Sequence, residues 1–457
     1  MSKKPSIPKG TRDFNPAEVA RRNYIFNIIK ETFALYGFRP IETPSFENSQ
    51  TLLGKYGEEG DRLIFKILNS GDFLSKVDDK LYAKKNSNLM TSKISEKALR
   101  YDLTVPFARY VVQHQNDITF PFKRYQMQPV WRADRPQKGR FREFYQCDAD
   151  VVGSTSLWQE VELVQLYDAV FTKLGLSGVT IKINDRSILS GIAETIGAED
   201  KLIDFTVALD KLDKIGEAGV KKEMREKGLT EEALQKLQRL FSFQGSNDEK
   251  LNALTNMLQN SQTGLRGTDA LKFITRTVEA LGLQSATLEI DVTLARGLNY
   301  YTGAIFEVSA PEGVNMGSIG GGGRYDDLTG IFGLKDMSGV GISFGLDRIY
   351  LVLEALHLFP KTVSENSKAL FINFGQKEAL YAMMAITNLR KAGIKVDLYP
   401  DAAKMGKQMG YADKRDIPYA VLAGAQEMEA QTYTLKNMKS GEQRRVTFSE
   451  LQKILSE

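Results

Sequence analysis

A chain of 457 residues is too long for one hydrophobic core, so its length predicts two or three domains. Hydrophobic residues make up 42% of the chain and charged residues 26%, the composition of an ordinary soluble globular protein. No apolar run approaches the roughly 18 residues of a membrane span, and the N-terminus lacks the apolar core of a signal peptide. We therefore expect a cytoplasmic protein with no membrane contact.

Cysteine and histidine usage limits the possible cross-links and metal sites. The one cysteine, Cys147, excludes an intrachain disulfide and suits a reducing cytosol. The two histidines, His114 and His357, have no cysteine or carboxylate cluster at ligand spacing. We expect no tightly bound metal in the protein.

The net positive charge is concentrated near the C-terminus. The whole chain has a formal charge of +4, and residues 368–457 contain 14 Lys and Arg against 10 Asp and Glu. This stretch therefore carries the entire excess. Either a nucleic-acid contact or an ordinary solvated surface explains such an excess.

The first segments of the chain combine a helix with strands. Apolar residues from Val19 to Phe33 are spaced for one face of a helix, and this pattern ends near Tyr36. Residues 38–41 are then predicted to form a strand. From residue 120 to 152 the periodicity changes to two, which predicts a long antiparallel hairpin.

The remaining segments suggest where the domains begin and end. Residues 187–285 have amphipathic helical patterns without a strand signal, and strand-like sequence resumes after them. We therefore expect a first domain from residues 1–186 and 286–360, interrupted by a helical insertion. A linker at 361–367 leads to residues 368–457, where alternating strands and helices predict a small α/β domain with a largely parallel sheet.

The predicted hairpin carries a face rich in charged side chains. Between Phe120 and Arg142 there are seven Lys and Arg and one carboxylate, Asp134. Strand parity groups the following polar and aromatic side chains on one face of each strand: Arg132 on the first, and Arg140, Arg142, Phe144, Gln146, Asp148 and Asp150 on the second. One interpretation is a solvated face that forms its own ion pairs. The other is a nucleotide site, with guanidiniums for phosphates, a ring for a base and carboxylates for an amine or imidazole.

Three glycine-rich segments follow the insertion. Residues 295–303 read Ala-Arg-Gly-Leu-Asn-Tyr-Tyr-Thr-Gly, and four consecutive glycines begin at Gly320. Such a run allows close approach of the backbone to a ligand, although a flexible loop also explains it. Residues 339–348 are predicted to form an apolar strand that leads into a helix with Arg348 at its start. Packing alone is a sufficient reason for the glycines of that strand.

Taken together, these segments resemble class II aminoacyl-tRNA synthetases. Residues 37–44, 132–150 and 339–348 are similar to the three sequence motifs of that class. The segments that resemble histidyl-tRNA synthetases specifically are Lys-Gly-Thr-Arg-Asp at 9–13, Arg132 with residues 135–140, and Arg-Gly-Leu-Asn-Tyr-Tyr at 296–301. Residues 406–422 are similar to the anticodon-binding domain of this family, and the resemblance covers nearly the whole chain.

The resemblance implies both an architecture and a set of partners. The expected fold is an α+β catalytic domain built on an antiparallel sheet, with a helical insertion and a C-terminal α/β anticodon-binding domain. The expected substrates are L-histidine, ATP with Mg²⁺, and tRNA(His). The expected assembly is a homodimer with Pro44 and its strand at the interface.

The resemblance also implies residue roles for ATP binding and catalysis. Arg132 would bind the α-phosphate, and Arg140 and Arg348 the terminal phosphates. Phe144 and Arg348 would lie on opposite faces of adenine. Arg296 would lie beside the α-phosphate and the histidine carboxylate and stabilise charge there, a task that a metal ion performs in many related enzymes.

Histidine and tRNA contacts are implied in the same way. Asp102, Thr104 and Gln146 would orient the α-amino end of histidine. Asp150 and Tyr301 would bind the imidazole, with Arg296 and Tyr300 completing the histidine-binding set. The expected tRNA contacts are Arg135, Lys138, Lys407 and Arg415. The helical insertion either contacts the acceptor stem or only packs on the catalytic domain.

A few positions depart from the family pattern, and rival interpretations remain. Asp134 stands where the class usually has Glu, and Asn299 where Asp is frequent, so neither receives a role. Asp150 replaces a Glu of some relatives. The rivals are a non-catalytic regulator with this fold, a sensor of uncharged tRNA, and a class II synthetase for another amino acid.

Overall fold

The computed structural model describes residues 4–241, 243, 245–295, 300–360, 363 and 367–456. They fall into two compact units, Met1–Pro360 and Lys361–Glu457. In the described part of the chain, no helix is long and apolar enough to cross a membrane.

Most strands belong to the first unit. In chain order the strands are β1 (Arg39–Pro40), β2 (Phe46–Asn48), β3 (Lys66–Ile67), β4 (Lys97–Leu99), β5 (Phe122–Trp131), β6 (Glu143–Val152), β7 (Val179–Asp185), β8 (Ala286–Ile290), β9 (Ala304–Ser309), β10 (Gly320–Tyr325), β11 (Gly339–Gly345), β12 (Ala369–Phe371), β13 (Val396–Leu398), β14 (Tyr419–Leu422), β15 (Tyr433–Asn437) and β16 (Gln443–Val446).

Helices connect and cover these strands. They are α1 (Pro16–Leu35), α2 (Ser49–Leu52), α3 (Gly57–Leu63), α4 (Asp79–Ala83), α5 (Ser87–Ile94), α6 (Thr104–Gln113), α7 (Trp158–Lys173), α8 (Arg186–Ile196), α9 (Leu202–Leu209), α10 (Leu212–Glu226), α11 (Glu231–Phe241), α12 (Asn247–Met257), α13 (Gln262–Leu281), α14 (Leu346–Ala355), α15 (Gln376–Lys391), α16 (Met405–Lys414), α17 (Ala425–Ala430) and α18 (Phe448–Ser456). Short 3₁₀ helices span Glu199–Lys201 and Leu328–Phe332.

The first helix illustrates how local sequence sets these boundaries. Asn15 caps α1 by accepting a hydrogen bond from the backbone of Glu18, whose side chain accepts one from the backbone N–H of Asn15. Pro16 occupies the first turn, where its missing N–H removes no hydrogen bond. The helix buries Ile25, Ile29 and other apolar residues against the central sheet, as the helical spacing predicts.

An eight-stranded sheet forms the centre of the first unit, in the order β1-β5-β6-β11-β10-β9-β7-β8. The predicted hairpin is confirmed, because β5 and β6 pair antiparallel over ten residues each, with Arg124 opposite Asp150. Only the edge pairs β1–β5 and β7–β8 are parallel. One face of β6 buries Cys147, Ala149 and Val151 in the core, which leaves the opposite face of this strand for polar side chains.

The four glycines after Ile319 form a central strand and not a loop. Strand β10 pairs with both β9 and β11. A Cβ atom on Gly322 would lie 2.2 Å from the carbonyl oxygen of Gly341, so a side chain there would require the strands to separate. The run is therefore a packing requirement of this part of the sheet.

The helical insertion lies between two neighbouring parallel strands. Strand β7 ends at Asp185 and β8 begins at Ala286. The described residues between them form helices α8 to α13 and no strand. Leu237 and Leu254 of this segment are buried in the same core as the central sheet.

The second unit is built on its own mixed sheet, in the order β13-β12-β14-β15-β16. Strand β12 pairs parallel with β13 and β14, as the alternating pattern predicts. The expectation of a largely parallel sheet is wrong for β15 and β16, which pair antiparallel. A short connection between β15 and β16 can join antiparallel neighbours only, since a parallel pair needs a crossover of a dozen or more residues.

Candidate active site

A cavity of about 310 Å³ lies against the polar face of β6, β9, β10 and β11. Its lining also includes the loop between β5 and β6, Tyr300 and Tyr301, and the start of α14. The fold thus brings together segments that are up to about 240 residues apart in the chain, from Thr104 to Arg348.

Behind Tyr300, at one end of the cavity, lies a buried carboxylate fixed by two phenols. Tyr56 donates a hydrogen bond to Asp102 Oδ1 at 2.8 Å, and Tyr300 donates one to Oδ2 at 3.0 Å. Burial raises the pKa of Asp102, while the bond from Tyr56 and the charge of Arg132 act in the opposite direction. Thr104, the first residue of α6, lines the cavity nearby. This end can bind an ammonium group.

Two further carboxylates, Asp148 and Asp150, alternate along β6 and line the same cavity. Buried Arg124 of β5 has Nη2 at 2.8 Å from Asp150 Oδ2, an ion pair that is not aligned as a hydrogen bond. Tyr325 donates a hydrogen bond to Asp150 Oδ1 at 2.7 Å. Burial raises the pKa of both carboxyls, that of Asp148 to about 7, against the lowering effect of Arg124.

Gln146 and Tyr301 complete this acidic end. Gln146 Nε2 donates to Ser343 Oγ at 3.3 Å, and its Oε1 has no hydrogen-bond partner among the described atoms. Burial, reinforced by Asp150, raises the pKa of Tyr301. A Cβ atom on Gly323 would lie 2.8 Å from the Tyr301 ring, so the glycine strand makes room for this phenol.

The other end of the cavity is basic, and Arg132 begins it. Its Nε donates to the carbonyl oxygen of Tyr101 at 3.0 Å. Its guanidinium lies 4.2 Å from the ring centroid of Tyr101 and 5.3 Å from that of Phe144. An aromatic ring and a cation therefore lie side by side at the start of the loop between β5 and β6.

Arg348 and Arg140 extend the basic end. Arg348 Nε donates to the carbonyl oxygen of Gly139 at 2.8 Å, which ties α14 to the loop. Its pKa is lowered first by burial and then by the nearby charges of Arg140 and Arg132. Arg140 Nη1 lies 3.7 Å from Asp134 Oδ1. Three guanidiniums that repel one another are stabilised by a bound polyanion.

The N-terminal segment packs against this basic end. Arg12 and Arg22 both pair with the buried carboxylate of Asp347, which also accepts from the backbone N–H of Tyr145 at 3.1 Å. The guanidinium of Arg12 lies 3.5 Å from the ring centroid of Phe141, a cavity residue. Residues 9–13 therefore support the loop and the start of α14.

The structure does not bring all predicted residues to the cavity. Arg296 and Asn299 lie outside the described residues. Arg135 and Lys138 are exposed on the loop between β5 and β6. In the second unit, Lys407 is exposed on α16, and Arg415 donates to the hydroxyl of Tyr411 at 2.7 Å. No group of three or more His, Cys, Asp or Glu side chains is placed to hold a metal ion within the described ranges.

Several side chains that contact predicted site residues were not singled out by the sequence analysis. They are Tyr56, Arg124, Tyr325 and Ser343. Asp347, which pairs with Arg12 and Arg22, also lines the cavity. The alternation of side chains along the strand could have identified Arg124, since it is an even number of residues from Arg132 and therefore lies on the same face. Ser343 and Asp347 lie within residues 339–348, where the sequence predicts the strand and the start of the helix. Tyr56 and Tyr325 reach the site only through tertiary packing, which no local pattern reveals.

Comparison with known proteins identifies relatives over the whole chain. Residues 86–349 match the family of histidyl-tRNA synthetases, and residues 368–457 match the family of anticodon-binding domains. A histidine–tRNA ligase of Christiangramia forsetii is 72% identical over 451 residues, covering 99% of each chain. A histidine–tRNA ligase of Flavobacterium johnsoniae is 68% identical, covering 100% of each chain.

Solved structures agree with these sequence matches. The crystal structure of a histidyl-tRNA synthetase from a Nostoc species superposes with a TM-score of 0.82 at 32% identity, covering 100% of this chain and 99% of that one. A structure from Bacillus halodurans, described as an ATP phosphoribosyltransferase regulatory subunit or histidyl-tRNA synthetase, superposes with a TM-score of 0.71 at 22% identity. The second likeness concerns the fold alone.

Proposed function

The chain belongs to the histidyl-tRNA synthetase family and is a ligase that joins histidine to tRNA, and we propose how its cavity performs the first step. The enzyme activates L-histidine with ATP to histidyl-adenylate and pyrophosphate, then transfers histidine to the 3′ end of tRNA(His). The observation that carries the assignment of the site is one cavity with buried carboxylates at one end and guanidiniums at the other.

At the acidic end, Asp102, Thr104 and Gln146 bind the α-amino group of histidine. The fixed orientation of Asp102 and the unpartnered oxygen of Gln146 support this role. Tyr300 positions Asp102 by donating to its second oxygen. A preorganised carboxylate loses little side-chain entropy when the ammonium group arrives.

The imidazole lies deeper, against Asp150 and Tyr301. Asp150 is held by Arg124 and Tyr325, so its carboxylate cannot turn away from the cavity. A carboxylate that accepts from one ring N–H fixes the tautomer of the imidazole. Because the site requires a ring N–H that donates to Asp150, it binds histidine in preference to amino acids with apolar side chains of similar size.

At the basic end, Arg132 binds the α-phosphate of ATP, and Arg140 and Arg348 bind the terminal phosphates. Phe144 lies on one face of adenine and Arg348 on the other. Burial, and then the repulsion from Arg140 and Arg132, lowers the pKa of Arg348, and this repulsion supports a site for a polyanion. We infer that ATP binds as its Mg²⁺ complex, with the ion held through the phosphates.

The chemistry of activation needs no protein nucleophile. A carboxylate oxygen of histidine attacks the α-phosphorus in line, the new O–P bond forms, and the bond to the pyrophosphate oxygen breaks. Arg132 stabilises the charge that develops on the α-phosphoryl oxygens, and Arg296 acts beside it. Positioning and preorganised positive charge therefore provide the catalysis.

The remaining partners follow from the family and from exposed charge. Arg135 and Lys138 contact the acceptor end of tRNA, and Lys407 and Arg415 contact its anticodon region. The chain acts in the cytoplasm as a homodimer, with Pro44, which lies between strands β1 and β2 and not within a strand as expected, at the interface. Exposure of the loop residues leaves them accessible to a large polyanion.

Histidine-dependent exchange of label between pyrophosphate and ATP tests this function. The full chain should support exchange with histidine and not with the other nineteen amino acids. Exchange with a different amino acid would favour a synthetase of other specificity. Tight binding of histidine or tRNA without any exchange would favour the regulator or the tRNA sensor.

A further inference from the structure

One hydrogen bond of the cavity crosses a whole strand of the central sheet. Asp150 lies on β6 and Tyr325 on β10, and strand β11 runs between them. Neighbouring strands are about 4.8 Å apart, so β6 and β10 are separated by roughly 10 Å. The Tyr325 hydroxyl nevertheless donates to Asp150 Oδ1 at 2.7 Å. Both side chains therefore lie across the cavity face of β11.

Two glycines on that face of β11 leave the space for this bond. Gly341 lies opposite Asp150 in the register of β6 and β11, and Gly339 lies opposite Tyr325 in the register of β10 and β11. A Cβ atom on Gly341 would overlap with Oδ1 and Cγ of Asp150. A Cβ atom on Gly339 would overlap with the Tyr325 ring. The carboxylate and the phenol thus occupy the volume of two side chains that β11 lacks.

A glycine of β10 makes room for the second side chain of the proposed imidazole site. Gly323 lies opposite Gly341, and a Cβ atom on it would lie 2.8 Å from the Tyr301 ring. That atom would also lie 2.7 Å from a backbone carbonyl oxygen of β9, so a side chain at Gly323 would disturb the sheet itself. At Gly341 the nearest atoms belong to the Asp150 side chain, and the first backbone atom is the Ala149 oxygen at 3.0 Å. An alanine at Gly341 would therefore displace the carboxylate before it displaced the sheet.

We propose that Gly341 is a positioning residue of the histidine site, because its lack of a side chain lets the Asp150 carboxylate reach Tyr325 and stay directed at the imidazole. The proposal rests on the proposed function, since it requires histidine in this cavity. Arg124 pairs with Asp150 from β5, on the side of β6 opposite to β11. A methyl group at Gly341 would push the carboxylate away from Tyr325 and towards Arg124. The buried ion pair would then persist, and the loss would fall on histidine binding.

Pyrophosphate exchange by the Gly341→Ala variant of the full chain tests this role. We expect its KM for histidine to rise by about tenfold or more, since a displaced carboxylate no longer meets the ring N–H. The KM for ATP should stay within about twofold and kcat should change little, because the imidazole contact contributes to binding and not to the reacting atoms. A KM for histidine within about twofold of the wild-type value would overturn the proposal.

A double-mutant cycle with Tyr325→Phe separates this role from a general effect on the sheet. Tyr325→Phe removes only the hydroxyl and should itself raise the KM for histidine by about three- to tenfold. In Gly341→Ala the hydrogen bond is already lost, so adding Tyr325→Phe should change the KM by less than about twofold. Multiplication of the two single effects would show that the bond survives in Gly341→Ala and would contradict the proposal. An unchanged KM in Tyr325→Phe alone would also contradict it, since the bond would then not position Asp150.

Thermal unfolding and a control glycine complete the test. The unfolding temperature of Gly341→Ala should fall by a few degrees at most, and a much larger fall would contradict the proposal, because the sheet would then have given way. Gly410→Ala adds the same methyl group on α16, where it meets no atom outside the helix backbone within 4 Å. This control should leave both Michaelis constants unchanged. If the wild type shows no histidine-dependent exchange, the proposed function itself is wrong.

Discussion

Asp185 caps helix α8 with a carboxyl group that burial makes hard to ionise. It accepts a hydrogen bond from the backbone N–H of Ser187 at 2.7 Å, and burial raises its pKa to about 6. The unfolded chain has an Asp pKa of about 4. The pKa of Asp185 is thus higher in the folded chain than in the unfolded chain. Protonation of this carboxyl therefore stabilises the fold fully below about pH 4, and the stabilisation is lost as the pH rises through about 6.

Asp185→Asn tests this reading, since Asn keeps the capping acceptor and removes the titration. We expect the variant to match the wild type at about pH 4 and to be more stable by roughly 1–3 kcal/mol at about pH 8. Urea unfolding at both pH values measures the difference. A difference that does not change with pH would mean that Asp185 does not titrate in this range.

Arg296 lies outside the described residues, so its role follows from the family resemblance and the neighbouring tyrosines. Arg296→Ala should lower the rate of adenylate formation by about 10²–10³, because one preorganised cation is lost. The circular dichroism spectrum should not change. Arg276→Ala is a suitable control, since that side chain is 58% exposed and pairs only with Asp248 in the described structure. Adenylate formation within a few-fold of wild type would exclude the role of Arg296.

Among elements, the N-terminal segment contacts the cavity through Arg12, which pairs with Asp347 and lies over the Phe141 ring. Arg12→Ala should raise the KM for ATP by roughly tenfold. The change removes the partner that Asp347 and Phe141 share, and Asp347 directly precedes Arg348, the proposed phosphate ligand. The KM for histidine should change much less. Arg21→Ala is the matched control, since the exposed Arg21 side chain contacts Glu354 and the Phe359 ring, neither of which lines the cavity. Equal effects on both constants would indicate a general loss of stability.

The elements also show what local sequence can and cannot predict. The period-two pattern predicts β5, β6 and their pairing, because one face of β6 must be apolar to cover the core. The Gly320 run could not be assigned, since a central strand and a flexible loop share that composition. Tyr56 and Tyr325 could not be found, because their hydroxyls reach Asp102 and Asp150 only after distant segments pack.

At the scale of the whole molecule, deleting residues 368–457 should separate the two half-reactions. We propose that this domain reads the anticodon and that residues 1–186 and 286–360 carry activation. The truncated protein should keep most of its pyrophosphate exchange, provided that light scattering shows it to be a dimer. Its aminoacylation should show a higher KM for tRNA and a shallower salt dependence, since fewer phosphates are neutralised. A dimeric truncation that charges tRNA normally would refute the assignment.

The central claim is that one cavity binds histidine at its acidic end and ATP at its basic end. The most direct test is the pair of Michaelis constants in pyrophosphate exchange for Gln146→Ala and Arg140→Ala, which alter opposite ends. We expect Gln146→Ala to raise the KM for histidine by about tenfold and to leave that for ATP within about twofold. Arg140→Ala should do the reverse. If each variant changes both constants equally, or the two constants respond in the opposite sense, the two ends are wrongly assigned.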